Sequence, residues 1–288
     1  MTETHSMQCT TSILVMKEWQ SNIKAANQTI GFVPTMGFLH DGHLKLIEEA
    51  KKSYDYVAVS IFVNPTQFGP SEDFDAYPRN LNADVRLAAQ AGADIVFCPE
   101  VIDMYPEDSG IRILPGPLAN RLCGVSRPGH FDGVLQVVLK LVNIVQPDAV
   151  FFGMKDAQQL AIIESFFIDF NFSTRVVRVP TVREQDGLAK SSRNVNLTVQ
   201  ERTEAPLIYA VLQQAVVLCQ EGVSSKEIER FVKETLEKKT SGTIDYVSLL
   251  TYPKLESPTD SSADLIIACA LQFSKARLID NILFKKEG

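Results

Sequence analysis

Residues 30–50 read IGFVPTMGFLHDGHLKLIEEA. The run over 29–34 is apolar and ends at a turn, which predicts a buried strand. Over 43–52, Leu44, Ile47 and Ala50 recur at helical spacing with charges between them, which predicts an amphipathic helix. The loop between, TMGFLHDG, carries two glycines and a histidine. A strand, a glycine-bearing loop and a helix N-terminus form a seat for an anion, because free N–H groups face outward and the helix dipole adds partial positive charge. His40 and His43 stand at the mouth of that seat, which spends half of the chain's 4 histidines on one loop.

The P-loop, G-x-x-x-x-G-K-[ST], matches Gly37 and Gly42 in spacing but fails at both chemical positions. His43 replaces the lysine and Leu44 the magnesium-binding hydroxyl. HDGH instead resembles the HxGH signature of the nucleotidylyltransferase superfamily, whose histidines bind a triphosphate and stabilise charge on the phosphorus being transferred. From these residues alone, the reading of two solvent-exposed loop histidines stays open until the rest of the chain is read.

At 288 residues the chain is long enough for two domains. An apolar fraction of 45% and a charged fraction of 22% are those of an ordinary globular protein. A net charge of −7 without Lys/Arg clusters argues against nucleic acid or an anionic membrane as the partner. The opening, MTETHSMQCTTSILVMKEWQ, lacks the basic leader and apolar stretch of a signal peptide. No run reaches the roughly 18 apolar residues of a membrane span. Cys9, Cys98, Cys123, Cys219 and Cys269 are scattered without CxxC spacing, which predicts a reducing cytoplasm and thiols packed in the core.

Along the chain, a loose start leads to a helix near 16–26. A β-branched run over 56–63 predicts a strand buried on both faces, halted by Asn64-Pro65. After the polar loop NPTQFGPSEDFDAYPR, the pattern predicts a helix over 80–91 and a strand over 93–97. An irregular segment, 99–133, holds His130. A helix over 134–145, a strand over 149–152 ending in GMKD, a helix over 156–170 and a strand over 175–182 follow. This alternation predicts an α/β fold, a parallel sheet with helices on both faces, whose loops TMGFLHDGH, NPTQF and FGMKD converge beyond the strand ends. REQDGLAKSSRN then reads as a mobile connector. Two helices, 198–220 and 224–239, and extended runs over 243–250, 264–273 and 276–284 predict a smaller C-terminal α+β domain. The boundary is placed near Val182, giving domains 1–182 and 183–288.

Taken singly, the remaining polar residues suit ordinary places. SSRN suits a cap, Lys155-Asp156 a surface ion pair, Gln67 and Gln159 exposed amides, and Tyr77 and Arg79 a loop. Asp41 suits a turn, Cys98 and Cys123 suit small core hydrophobes, and His5 belongs to no pattern. In combination they say more. PTMGFLHDGH, SIFVNPTQF, DAYPR, PGHFDGV, FFGMKDAQQL and VREQDGLAKSSRN, in that order, resemble the pantothenate synthetase (pantoate–β-alanine ligase) family over 29–198, with a further match at ARLIDNI.

The resemblance implies a Rossmann-like nucleotide-binding domain, a C-terminal domain acting as a lid, and a homodimer. It also implies that ATP, (R)-pantoate and β-alanine give pantothenate, AMP and diphosphate through a pantoyl adenylate. Carried over residue by residue, it places Met36, Gly37, Phe38, Leu39, His40, Asp41, Gly42, His43, Gly153, Met154, Lys155, Asp156, Val182, Lys190, Ser191, Ser192 and Arg193 at ATP. Gln67 and Gln159 fall at pantoate, with Gln67 also near β-alanine. His40, His43, Lys155 and Arg193 would carry the catalysis, and His43 matches the position usually called the proton donor. Met154 stands where the family often has Glu. Ala83 stands where an acidic residue is common, which leaves Asp84 as a weak candidate for the Mg²⁺ shell. Another HxGH nucleotidylyltransferase and a non-catalytic nucleotide-binding module are the alternatives; pantoate-dependent exchange of diphosphate into ATP separates the three.

Overall fold

The structure is a computed structural model that describes residues 7–70, 72–106, 110–259 and 264–286; His5 lies outside the described residues. The chain first lays down β1 (Gln8–Thr10), α1 (Ile13–Ala25), β2 (Ile30–Thr35), α2 (Asp41–Ser53), β3 (Tyr56–Ile61), α3 (Leu81–Ala91) and β4 (Ile95–Phe97). Two short helices follow, α4 (Val101–Met104) and α5 (Cys123–Ser126). The chain then continues through α6 (His130–Val145), β5 (Ala149–Gly153), α7 (Ala157–Asp169) and β6 (Arg175–Val179).

These strands form one six-stranded sheet, ordered β1-β4-β3-β2-β5-β6, and every pairing is parallel. Val33, Val57, Val59, Val96, Ala149 and Phe151 share a core with Leu46, Ile47 and Ala50 of α2 and Ala88 of α3. Their alternating neighbours, Phe32, Ala58, Ile95, Phe97 and Val150, are buried as well and belong to the opposite face. There α6 packs on β2 and on α1. Burial on both faces is why these strands read as continuous apolar runs. The chain steps outward from β2 to β3 to β4 and later resumes at β5, so the strand order reverses between β2 and β5. Ligands of such sheets sit beyond the strand ends at that reversal.

One strand departs from expectation. Residues 8–10, expected within a loose start, form β1 and pair with β4 through Gln8↔Ile95, Cys9↔Val96 and Thr10↔Phe97. Three residues at a sheet edge are too few to show a periodicity, and two of them are exposed.

The chain divides into two compact units that interleave in sequence. The first comprises Met1–Pro115, Arg127–Met154 and Ile163–Pro180; the second comprises Gly116–Ser126, Lys155–Ile162 and Thr181–Gly288. The second unit holds α8 (Val199–Glu204), α9 (Leu207–Gln220) and α10 (Ser225–Lys239), with an antiparallel sheet β7 (Thr243–Thr251), β8 (Asp264–Gln272) and β9 (Arg277–Lys285). The helix expected over 198–220 breaks at Pro206, which lacks the N–H that a continuous helix would need.

Strand β8 explains the interleaving. Its residues Leu265, Ile267, Cys269 and Leu271 pack with Leu212, Ile228, Val232 and Leu236 of α9 and α10. Its other face, Ile266 and Ala268, is covered by Leu122, Ala157, Ala161, Tyr252 and Leu255. Two upstream segments are therefore drawn into the second unit by apolar surface that the C-terminal helices leave bare.

The connector expected to be mobile is instead a closed turn. Arg183 and Ala189 form an antiparallel bridge, Glu184 N–H donates to the Leu188 carbonyl at 2.8 Å, and Lys190 N–H donates to that of Val182 at 2.9 Å. Gly187 supplies the left-handed turn at φ +94°. Leu188 and Ala189 are buried. Arg183 makes a bidentate pair with Asp280, at 2.7 and 2.9 Å, and lies 3.5 Å from the centre of the Tyr209 ring. Arg202 holds Glu184 and Asp186. Hydrogen bonds claim what composition alone reads as loose.

These ties can be tested through stability. Asp280 is 4% exposed and the Arg183 side chain 17% exposed. Asp280→Ala should therefore strip a half-buried guanidinium of its carboxylate while leaving its bonds to the Gly187 and Asn281 carbonyls, at a cost of about 1.5–3 kcal/mol. Calorimetry should show it as a lowered transition of the second unit, and an unchanged transition would mean that the pair is not a structural tie. Glu201 accepts from Thr198 N–H at the start of α8 and from Ser274 N–H between β8 and β9. These bonds hold its carboxyl below the usual 4.5, at about 2. A depressed carboxylate stabilises the fold fully above pH 4.5 and loses that effect as pH falls toward about 2. Thermal midpoints of Glu201→Gln should therefore decline less than those of the parent across this window.

Candidate active site

The loop from β2 to α2 lies at the reversal of strand order, and its shape follows from where its backbone N–H groups go. Gly37 takes φ +82° and Phe38 φ +51°. A Cβ on Gly37 would come within 3.0 Å of Ile61 and 3.1 Å of Asp84. Gly37 N–H donates to the Thr35 hydroxyl at 3.1 Å, which itself donates to the Ser60 carbonyl at 2.7 Å. Phe38 and Leu39 N–H donate to the two oxygens of Asp84, at 2.8 and 2.7 Å.

The histidines complete this accounting. His40 is the N-cap of α2, and its Nδ1 accepts from Gly42 N–H at 3.1 Å. His43, at the third helical position, turns its Nδ1 back to His40 N–H at 3.3 Å. This is a capping box built from imidazoles. With Nδ1 accepting, the neutral rings carry their proton on Nε2. The rings lie 4.1 Å apart, tilted by 32°. The expectation of a seat made from free loop N–H groups is thus corrected. Those of Gly37, Phe38, Leu39, His40 and Gly42 are all engaged by side chains of the protein. Asp41 is exposed.

A second group of residues surrounds Gln67, which is 8% exposed and so is not the exposed amide of the simplest reading. Its Nε2 donates to the Met36 sulfur at 3.2 Å and its Oε1 accepts from Asn64 at 3.1 Å. Asn64 also donates to the Gly133 carbonyl at 3.0 Å and accepts from the Tyr105 hydroxyl at 2.9 Å. Gly133 lets α6 meet this turn, because a Cβ there would fall 2.3 Å from the Thr66 carbonyl oxygen. His130, at the start of α6, places Nδ1 2.8 Å from the Gln67 carbonyl oxygen, and Arg127 lies 3.0 Å from its Nε2. With Arg127 donating, the neutral ring donates from Nδ1. Glu72 fixes Arg127 through bonds of 2.7 and 2.6 Å. Sequence reasoning misses Asn64, Tyr105, Arg127 and Glu72. The available signal is Gly133, the second glycine of PGHFDGV, where close backbone approach leaves no room for a Cβ.

Gly153 ends β5, and extending the pairs Gly31↔Ala149 and Phe32↔Val150 brings it level with Thr35. Met154 follows it in the first unit, whereas Lys155, Asp156 and Gln159 belong to the second. The Lys155 carbonyl accepts from Asn281 of the ARLIDNI motif at 2.9 Å. Gln159 is half-buried. Its neighbour Gln158 is a structural residue, bonded to Cys123 N–H and to the carbonyls of Leu118 and Arg121. Val182 and Lys190 close the hairpin described above. Ser191 then caps a 3₁₀ turn by accepting from Arg193 N–H, and Ser192 is buried within it.

Asp84, the candidate magnesium ligand, is 2% exposed and both its oxygens hold loop N–H groups. Among the described residues, no group of three or more His, Cys, Asp or Glu is placed to hold a metal ion. The donor set does not fit a protein-built magnesium site, and Asp84 is assigned to the loop. Losing two charge-assisted bonds costs about 1.5–3 kcal/mol each. Asp84→Ala should therefore speed amide exchange at Phe38 and Leu39 by at least about tenfold, with little change in β2. Unaltered exchange would mean that the loop is held by other groups.

Comparison with known proteins gives one answer across the chain. The family model described as Pantoate-beta-alanine ligase matches residues 8–283. The pantothenate synthetase of Bacillus velezensis is 52% identical, over 93% of this chain and 94% of its own. That of Geobacillus kaustophilus is 50% identical, over 95% and 91%. The crystal structure of the Thermus thermophilus pantothenate synthetase superposes with a TM-score of 0.89 at 41% identity, covering 96% of this chain and 99% of that one. The Francisella tularensis pantoate-beta-alanine ligase, complexed with beta-gamma ATP and beta-alanine, superposes with a TM-score of 0.83 at 36% identity, covering 98% and 99%. The chain belongs to the pantoate–β-alanine ligase family, and its activity is the ATP-dependent ligation that makes pantothenate.

Proposed function

We propose that the ligation proceeds in two displacements on one enzyme. A pantoate carboxylate oxygen attacks the α-phosphorus of ATP, a P–O bond forms, and diphosphate leaves with the electrons of the broken one. The β-alanine amine then attacks the acyl carbon, and AMP leaves from the pantoyl adenylate. The first step requires in-line positioning and neutralisation of charge more than covalent help.

The observation that carries this reading is the pair of imidazoles, each held by a backbone N–H at Nδ1. Rings fixed in this way offer Nε2–H donors to phosphate oxygens without reorganising as charge develops. Lys155, Lys190 and Arg193 add positive charge, while Ser191, Ser192, Val182 and the loop from Met36 to His43, with Gly153, Met154 and Asp156, shape the nucleotide site. Gln67, seated through its main chain by His130, and Gln159 hydrogen-bond pantoate, and Gln67 also approaches β-alanine. The Francisella complex supports ATP and β-alanine as substrates here. Magnesium would arrive on the triphosphate and its waters. The lid role of the second unit is part of this proposal. The 183–190 hairpin closes its hydrogen bonds within that unit, so any closure carries it as a body. A homodimer in the cytoplasm is inferred from the family and from five unpaired thiols.

Pantoate-dependent exchange of labelled diphosphate into ATP tests the adenylate. Exchange without pantoate, or none with it, would overturn the scheme. His43→Ala should lower the exchange rate by about 10²–10³, with a folding cost near 1 kcal/mol for the lost cap. Asp41→Ala should change it little. A folded His43→Ala protein with parental exchange would remove His43 from the chemistry.

A further inference from the structure

Cys9 lies in β1 opposite Val96 of β4. Cys98 comes two residues after Val96, where side-chain alternation returns it to the same face. Cys98 N–H donates to the Thr10 carbonyl at 2.8 Å, and Gln8 N–H to that of Asp94 at 3.0 Å. The pairing of the strands therefore fixes the two cysteines beside each other. Their sulfurs are 3.8 Å apart, and neither is in a disulfide. Cys9 is exposed whereas Cys98 is 7% exposed. One thiol meets solvent, and the other stands directly behind it.

We propose that Cys9 and Cys98 form a reversible modification site, closing to an intrachain disulfide on reaction with a low-molecular-weight disulfide. The Cys9 thiolate attacks one sulfur of the oxidant RSSR, forms Cys9–S–S–R and releases the first thiolate. The Cys98 thiolate then attacks the Cys9 sulfur and expels the second. The sum is two protein thiols plus RSSR giving one protein disulfide plus two RSH, so atoms and electrons balance. Closure requires the sulfurs to approach from 3.8 Å to about 2 Å, and because Cys9 is in register with Val96 and not with Cys98, the edge strand must shift along with the side chains.

The second step has a recognisable pH dependence. Burial first, then the facing Cys9 thiol and the Asp84 carboxylate, push the Cys98 thiol up to about 12. The thiolate is the attacking form. Burial persists in the mixed disulfide, so its resolution should accelerate as pH rises through the alkaline range. The bond would staple the edge strand β1 to β4.

The test uses the full folded chain with oxidised glutathione, acid quenching, alkylation, intact mass and peptide mapping. The expected result is a transient glutathione adduct at Cys9, then a Cys9–Cys98 cross-linked peptide pair with a mass lower by two hydrogen atoms. Dithiothreitol should reverse it, and the oxidised form should melt at a higher temperature. Cys9→Ser should neither cross-link nor acquire an adduct at Cys98, and Cys98→Ser should keep its adduct at Cys9. A lasting Cys9 adduct in the parent, a cross-link to another cysteine, or no loss of thiols would overturn the proposal.

Discussion

The Asp84 carboxylate under the β2–α2 loop is the constraint that the site depends on. A carboxylate 2% exposed is costly to bury unless its oxygens are bonded. Here two consecutive N–H groups of the loop meet that need, and the same bonds satisfy donors that would otherwise be stranded in a glycine turn. Helix α3 and the loop therefore fix one another across 46 residues of sequence. The negative charge also opposes the field of the α2 N-terminus.

The spacing of the two histidines has a conformational reason that precedes chemistry. An N-cap and the third helical position are the two places from which side chains can cap each other's backbone. His40 and His43 occupy them. The reciprocal bonds orient both rings and set which nitrogen carries the proton. A spacing that looks like a catalytic signature is first a rule for starting a helix. Gln67 follows a similar logic, since its seat depends on the close approach of backbone that Gly133 of α6 allows.

Most of the architecture was legible because the strands are long, β-branched and buried on both faces, as in β2, β3 and β5. HDGH stood out because two of the chain's 4 histidines fall within it. Other features were hidden for identifiable reasons. Strand β1 is too short for a pattern and sits at an edge. The role of Asp84 depends on a contact with a distant loop, which no local pattern encodes. Gln158 and Gln159 are adjacent amides on one helix, and only tertiary contact separates the structural one from the half-buried one. The polar segment after β6 looks like a hinge by composition, yet Arg183, Arg202 and Asp280 hold it closed through long-range ion pairs.

The interleaved second unit bears on how the chain is made. Its β8 is flanked on one face by residues from 116–126 and 155–162, which leave the ribosome well before β8 itself. Leu122, Ala157 and Ala161 must wait, uncovered, until the last part of the chain is synthesised. Neither unit can thus be completed as a continuous stretch during translation. The same arrangement resists domain shuffling, because no single cut in the gene excises the second unit together with both covers of its central strand.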